Sequence, residues 1–137
     1  MPESDKHLQL VQCIVNHIQL VYTGVDHVAS LQDLPSTIRG NKPPKIGEYR
    51  PDVFAMDAPL TRTIVGEAKT QTDLETEHTR RQLEAFISFL RLQPKPVFIL
   101  AVPWQASARG KNLLELIVKQ LTATTVHIVV LDEVVQG

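Results

Sequence analysis

The stretch Arg50-Pro51-Asp52-Val53-Phe54-Ala55-Met56-Asp57-Ala58-Pro59-Leu60-Thr61-Arg62-Thr63-Ile64-Val65-Gly66-Glu67-Ala68-Lys69-Thr70 decides how the rest of the chain reads. Extended-chain formers fill both of its arms and Ala58-Pro59-Leu60 punctuates the middle, the pattern of two strands, Arg50 to Asp57 and Thr61 to Thr70, joined by a turn. If that hairpin closes symmetrically, Asp57 faces Arg62, and five residues back on each arm Asp52 faces Glu67. Glu67 and Lys69 stand two apart on one strand, so their side chains leave it on the same face.

Two carboxylates directly opposite each other on adjacent strands repel, and a bound cation or a nearby ammonium is the usual remedy. Mg2+ takes one or two carboxylates and fills its remaining positions with water and substrate phosphate oxygens, a set that Asp52 and Glu67 supply, with the backbone carbonyl of Ala68 as a further ligand. Lys69 is then placed to orient or deprotonate an attacking water, or to stabilise charge developing on a phosphate.

Working outward, Leu8, Val11, Ile14, Val15, Ile18 and Val21 recur at helical spacing behind a Ser4 or Asp5 cap and end at Gly24. The segment from Asp26 to Pro44 has no sustained period and carries Pro35, Gly40, Pro43 and Pro44, so it reads as a long connection with a short helical turn near Val28 to Leu31. Downstream, a polar connection from Gln71 to His78 leads to a helix from Thr79 to Leu92, with Leu83, Phe86, Ile87 and Leu90 on one face. A buried strand follows at Val97 to Val102, then a helix from about Ser107 to Leu121 and a last strand from Val126 to Leu131. Strands connected through helices, joined to an antiparallel hairpin, make an α/β layer fold.

Composition fits one domain over residues 1–137: 43% hydrophobic and 21% charged, with a formal net charge of −1. That balance excludes a protein that holds nucleic acid through a broad basic field. Cys13 has no partner cysteine in the chain. The polar, acidic start lacks the basic and apolar regions of a signal peptide, and the longest strongly apolar stretch falls far short of the ~20 residues of a membrane span. The expectation is a cytoplasmic protein with no membrane association.

Arg50-Pro51-Asp52-Val53, a turn, and Val65-Gly66-Glu67-Ala68-Lys69 together resemble the PD-(D/E)xK superfamily of restriction-endonuclease-like nucleases, including its RecB-like and small replication-repair branches. The resemblance covers most of the chain. It implies a three-layer restriction-endonuclease-like core: a mixed sheet with a motif-bearing antiparallel hairpin, flanked by helices. It further implies that Asp52 and Glu67 bind Mg2+ or Mn2+ while Lys69 assists hydrolysis of a DNA phosphodiester bond. Several branches carry a Gln early in the next helix with an aromatic four residues on, and Gln82 with Phe86 match that spacing, although the RecB-like form has Tyr in the second place. Gln82 is thereby expected to face the site and hold a water or phosphate. Some members add an acidic residue from the first helix, but no Asp or Glu stands between Lys6 and Tyr22, which leaves His17 as a substitute.

Arg39, Lys42, Lys45 and Arg50 against Glu48 give the segment before the motif a local charge of +3, the best phosphate contact in the chain. Arg80, Arg81, Arg109 and Lys111 are secondary candidates, while Asp73, Glu75 and Glu77 would repel phosphate and are expected to point away or meet a partner. Trp104 reads as a core or interface-edge residue rather than a base-stacking platform, and Cys13 as structural. Two functions follow: a metal-dependent deoxyribonuclease, whose small surface calls for a homodimer, a protein partner or a DNA end or branch to supply specificity, and a catalytically inactive module of the same fold acting in assembly or regulation. An unrelated α/β protein with Glu67 and Lys69 as a surface pair is a third.

Overall fold

A computed structural model describes residues 5–22, 25, 27–31, 42–56 and 61–133. Helix α1, Asp5–Val21, precedes strands β1, His27–Ser30, β2, Val53–Met56, and β3, Thr63–Ala68. Helix α2, Glu77–Leu90, β4, Pro96–Pro103, α3, Ser107–Leu121, and β5, His127–Glu133, complete the order. The strands form a five-stranded sheet in the order β1-β2-β3-β4-β5. Pairing is antiparallel from β1 to β3 and parallel from β3 to β5, so β3 is the strand at which the sheet changes character.

Helices cover both faces. The α1 stripe of Leu10, Val11, Ile14, Val15 and Ile18 is fully buried against Val53, Ala55, Ile64, Val97, Ile99 and Ala101. On the other face Leu83, Phe86, Ile87 and Leu90 of α2 and Leu114 and Ile117 of α3 pack on Val65, Phe98, Leu100 and Val102. Alternate residues of β3 and β4 thus serve opposite cores, which is why β4 reads as an unbroken apolar run.

Local signals set the helix ends. The Thr76 hydroxyl accepts the Thr79 N–H at 3.1 Å and donates to the Asp73 carbonyl at 2.9 Å, a cap that starts α2 at Glu77, two residues before the sequence pattern does. Thr122, at φ 52°, turns the chain left-handed after α3.

The hairpin register is the one that symmetric closure requires, with Val53 opposite Gly66 and Met56 opposite Thr63. The expected strands are trimmed to four and six residues, and the turn Ala58-Pro59-Leu60 with Asp57 lies outside the described residues. One expectation is overturned. Val28 to Leu31 forms no helical turn: residues 27–30 are β1, and Leu31 N–H donates to the Asp52 carbonyl at 3.0 Å. Four residues carry too little periodicity to announce a strand, and this one is specified by pairing with β2.

Candidate active site

Asp52 immediately precedes β2 and Glu67 is the penultimate residue of β3, so the antiparallel register carries the two carboxylates across from each other at one end of the sheet. Both are buried, at 7% and 3% exposure. In place of further ladder bonds, side chains meet backbone reciprocally: Asp52 N–H donates to Glu67 Oε1 at 3.0 Å, and Ala68 N–H donates to Asp52 Oδ2 at 2.9 Å. A one-residue slip of register would break both bonds and send the acids to opposite faces.

Burial pushes the Glu67 carboxyl well above the usual carboxylate range, and the neighbouring Asp52 charge pushes it further. The Lys69 ammonium, 3.3 Å from Glu67 Oε2, acts in the opposite sense, as does the Asp52 N–H. Lys69 Nζ also donates to Gln82 Oε1 at 2.5 Å. Gln82 therefore faces the site as its spacing suggested, through the lysine, while Phe86 one turn on is fully buried against Phe98. The α2 phase that buries Phe86 is what aims Gln82.

The helix α1 contribution is His7, which the sequence reading missed. Its Nε2 lies 3.3 Å from Asp52 Oδ2. His17 stands about 15 Å further along the helix axis, by the rise of ~1.5 Å per residue, and packs edge-on against Tyr22. The signal was present: His7 falls one turn ahead of Leu10 and Val11 and continues the stripe that docks α1 on the sheet.

The basic candidates divide. Lys42, Lys45 and Arg50 are exposed, with Lys42 Nζ 3.5 Å from the Leu31 carbonyl and the Arg50 guanidinium donating to the Pro43 carbonyl; Arg39 lies outside the described residues. Arg80 is held by Glu84 and Gln120, and Arg81 by Glu77 at 3.5 Å. Arg109 pairs with Glu75. The acidic run thus pairs within the chain: Glu75 and Glu77 neutralise two of the secondary phosphate candidates, and Asp73 Oδ2 accepts from Thr70 N–H at 3.4 Å. Trp104 is not a core residue, since it is 55% exposed in the short 3₁₀ turn between β4 and α3, which leaves the interface-edge half of that expectation. Cys13 is half-buried on α1.

Two ionisable carboxylates held close by a shared backbone frame suit a divalent cation that prefers oxygen donors. The frustration between Asp52 and Glu67 is the feature such an ion would relieve. Among the described residues no group of three or more His, Cys, Asp and Glu side chains forms a fuller protein cage. Ala68 meets the acid pair through its N–H, which donates to Asp52 Oδ2.

Three layers, a mixed sheet and an acid pair at the end of a hairpin are consistent with a restriction-endonuclease-like α/β fold. Among solved structures, SfsA of Pyrococcus furiosus in complex with Ca2+ is similar in fold over 90% of this chain, with a TM-score of 0.54 and 14% identity. The chain spans 56% of the length of that SfsA chain. No family model and no curated protein matches the sequence.

Proposed function

We propose that this chain is a metal-dependent nuclease that hydrolyses DNA phosphodiester bonds, with Asp52 and Glu67 holding Mg2+ or Mn2+ and Lys69 assisting the attacking water. The observation that supports it is the buried Asp52–Glu67 pair with Lys69 and Gln82 gathered at one sheet end. A bound divalent cation supplies charge neutralisation for a phosphate and a more acidic water. Asp52, fixed by Ala68 N–H and His7, and Glu67, fixed by Asp52 N–H, present preset oxygens. Lys69, steadied by Gln82, offers its ammonium to the charge that develops on the phosphate. The SfsA neighbour was solved with Ca2+, another oxygen-preferring cation, which is in keeping with this donor set.

The Lys69–Glu67 ion pair favours a second reading, because it gives the buried acid a partner without any metal. In that case the chain is a catalytically inactive module acting in protein assembly or regulation. Supercoiled, linear, single-stranded and branched DNA incubated in Mg2+ or Mn2+ with wild type, Asp52→Ala and Lys69→Ala separates the two. Cleavage by wild type alone is the expected result; cleavage by all three places the chemistry elsewhere, and cleavage by none favours the inactive module.

A further inference from the structure

Trp104 is the single tryptophan of the chain, and it is more than half exposed although it follows a fully buried strand. Its place in the topology gives that exposure a use. Because β2 runs against β3, and β3 runs with β4, three segments emerge at one end of the sheet. Residues 42–52 lead into β2, Lys69 follows β3, and Trp104 follows β4. Ala68 is in register with Ala101, so Trp104 stands three residues beyond the strand position beside the site. The basic segment and the turn that carries Trp104 thus leave the same end of the sheet, on the β2 and β4 sides of the strand that carries Glu67.

The turn that carries Trp104 opens to solvent. Gln105, Ala108 and Arg109 around it in sequence are exposed, and Glu75 is neutralised by Arg109. The other large exposed apolar residues, Leu20, Val21, Leu92 and Leu116, belong to other segments of the chain. An exposed indole offers a flat π surface on which a planar base can stack.

We propose that Trp104 stacks on an unpaired base next to the scissile phosphate, so that the preferred substrate is single-stranded DNA or a single-stranded end. The inference rests on the nuclease reading. Lys42, Lys45 and Arg50 hold phosphates on one side of the acid pair and Trp104 holds a base on the other. A fully paired duplex buries its base faces in its own stack and cannot use Trp104.

The lone tryptophan is its own probe. Intrinsic fluorescence is titrated with a twelve-residue oligothymidylate and with a duplex of equal length in EDTA, and labelled oligonucleotide anisotropy supplies Kd for wild type, Trp104→Phe and Trp104→Ala. Base–aromatic stacking of ~1–3 kcal/mol corresponds to an expected rise in single-strand Kd of about 5- to 150-fold for Trp104→Ala. Trp104→Phe should recover most of this, duplex affinity should not change, and the wild-type emission should be quenched by the single strand only. In Mg2+, Trp104→Ala should raise KM for single strands and leave kcat within about twofold. Single-strand binding with no quenching and no effect of Trp104→Ala overturns the inference and leaves the nuclease reading standing. A change in oligomeric state of Trp104→Ala with unchanged DNA affinity also overturns it, in favour of a protein contact. Wild type that neither binds nor cleaves any DNA removes the nuclease reading itself.

Discussion

Gly66 sits between Val65 and Glu67 in the strand that carries the site, and its substitution by alanine tests how α1 and the sheet are locked together. A Cβ at this position would meet Ile14 Cγ2 at 2.7 Å and Val53 Cβ at 3.3 Å, well inside the ~3.5–4.0 Å optimum for carbon contacts. Ile14 and Val53 are fully buried, so neither can swing away. Overpacking of this kind costs about 1–3 kcal/mol, and replacing a strand glycine returns about 0.5–1 kcal/mol of backbone entropy, leaving a net loss near 1.5 kcal/mol for Gly66→Ala. With an unfolding entropy of roughly 2.1 cal/mol/K per residue over 137 residues, Tm should fall by about 5 °C. Ile14→Ala removes the clashing methyl and costs about 2–5 kcal/mol alone, but the double variant should be at least 1 kcal/mol more stable than the sum of the singles, because the new Cβ fills part of the cavity. Thermal melts of the four proteins measure the cycle. Strict additivity, or a Gly66→Ala protein as stable as wild type, refutes the close-approach argument. Displacing α1 also moves His7 against Asp52, so Mg2+ affinity measured by calorimetry should fall in Gly66→Ala. Gly110→Ala, whose Cβ meets Leu100 Cδ2 at 3.0 Å and Val102 and Leu74 at ordinary contact distances in the core that does not contain α1, should leave that affinity unchanged.

The remaining predictions are as follows. Because the folded state raises the Glu67 pKa, it holds a proton that the unfolded chain releases near 4.5, so stability in EDTA should decline as pH rises from there through the folded value. Glu67→Gln should flatten that decline in thermal melts across pH, and an identical decline in the variant refutes the assignment. Mg2+ at ten times its Kd should raise wild-type Tm near pH 7 by about 5 °C, the equivalent of ~1.4 kcal/mol, and should do much less for Glu67→Gln. Gln82→Leu leaves Lys69 without its 2.5 Å acceptor and should lower kcat about tenfold or more in single-turnover cleavage, with Tm changed by no more than 3 °C. Lys45→Ala should reduce the salt dependence of single-strand affinity by about 0.7 in log–log slope, whereas Arg81→Ala, already paired with Glu77, should leave it unchanged.

The hairpin and its register were legible because three constraints agree: a turn signal in the middle, extended-chain formers on both arms, and a strand period of two that places Glu67 and Lys69 on one face. The long helices were legible for the same reason, a face that repeats over many turns. What stayed hidden depends on contacts distant in sequence. Strand β1 exists because β2 offers it a ladder, and no local pattern of four residues records that offer. His7 was hidden by its place, since it stands in the first turn of α1 and only the packing of that helix on the sheet brings it to Asp52. Glu75 and Glu77 read as repulsive in one dimension, yet folding sets them beside Arg109 and Arg81.

That neutralisation changes where DNA would have to be held. With Arg80, Arg81 and Arg109 committed to side chains of the chain itself, the exposed cations near the acid pair are concentrated in residues 42–50, on the β2 side. A binding surface with cations on one flank only would grip a phosphate chain weakly and fix its direction poorly. A contact of another kind on the β4 side would supply both grip and polarity, and Trp104 is an exposed aromatic there. A stacking contact is also insensitive to salt, so the stacking share of single-strand affinity should persist at ionic strengths that abolish duplex binding. The ratio of single-strand to duplex affinity should therefore be higher in wild type than in Trp104→Ala at every salt concentration, by about the 5- to 150-fold that stacking supplies.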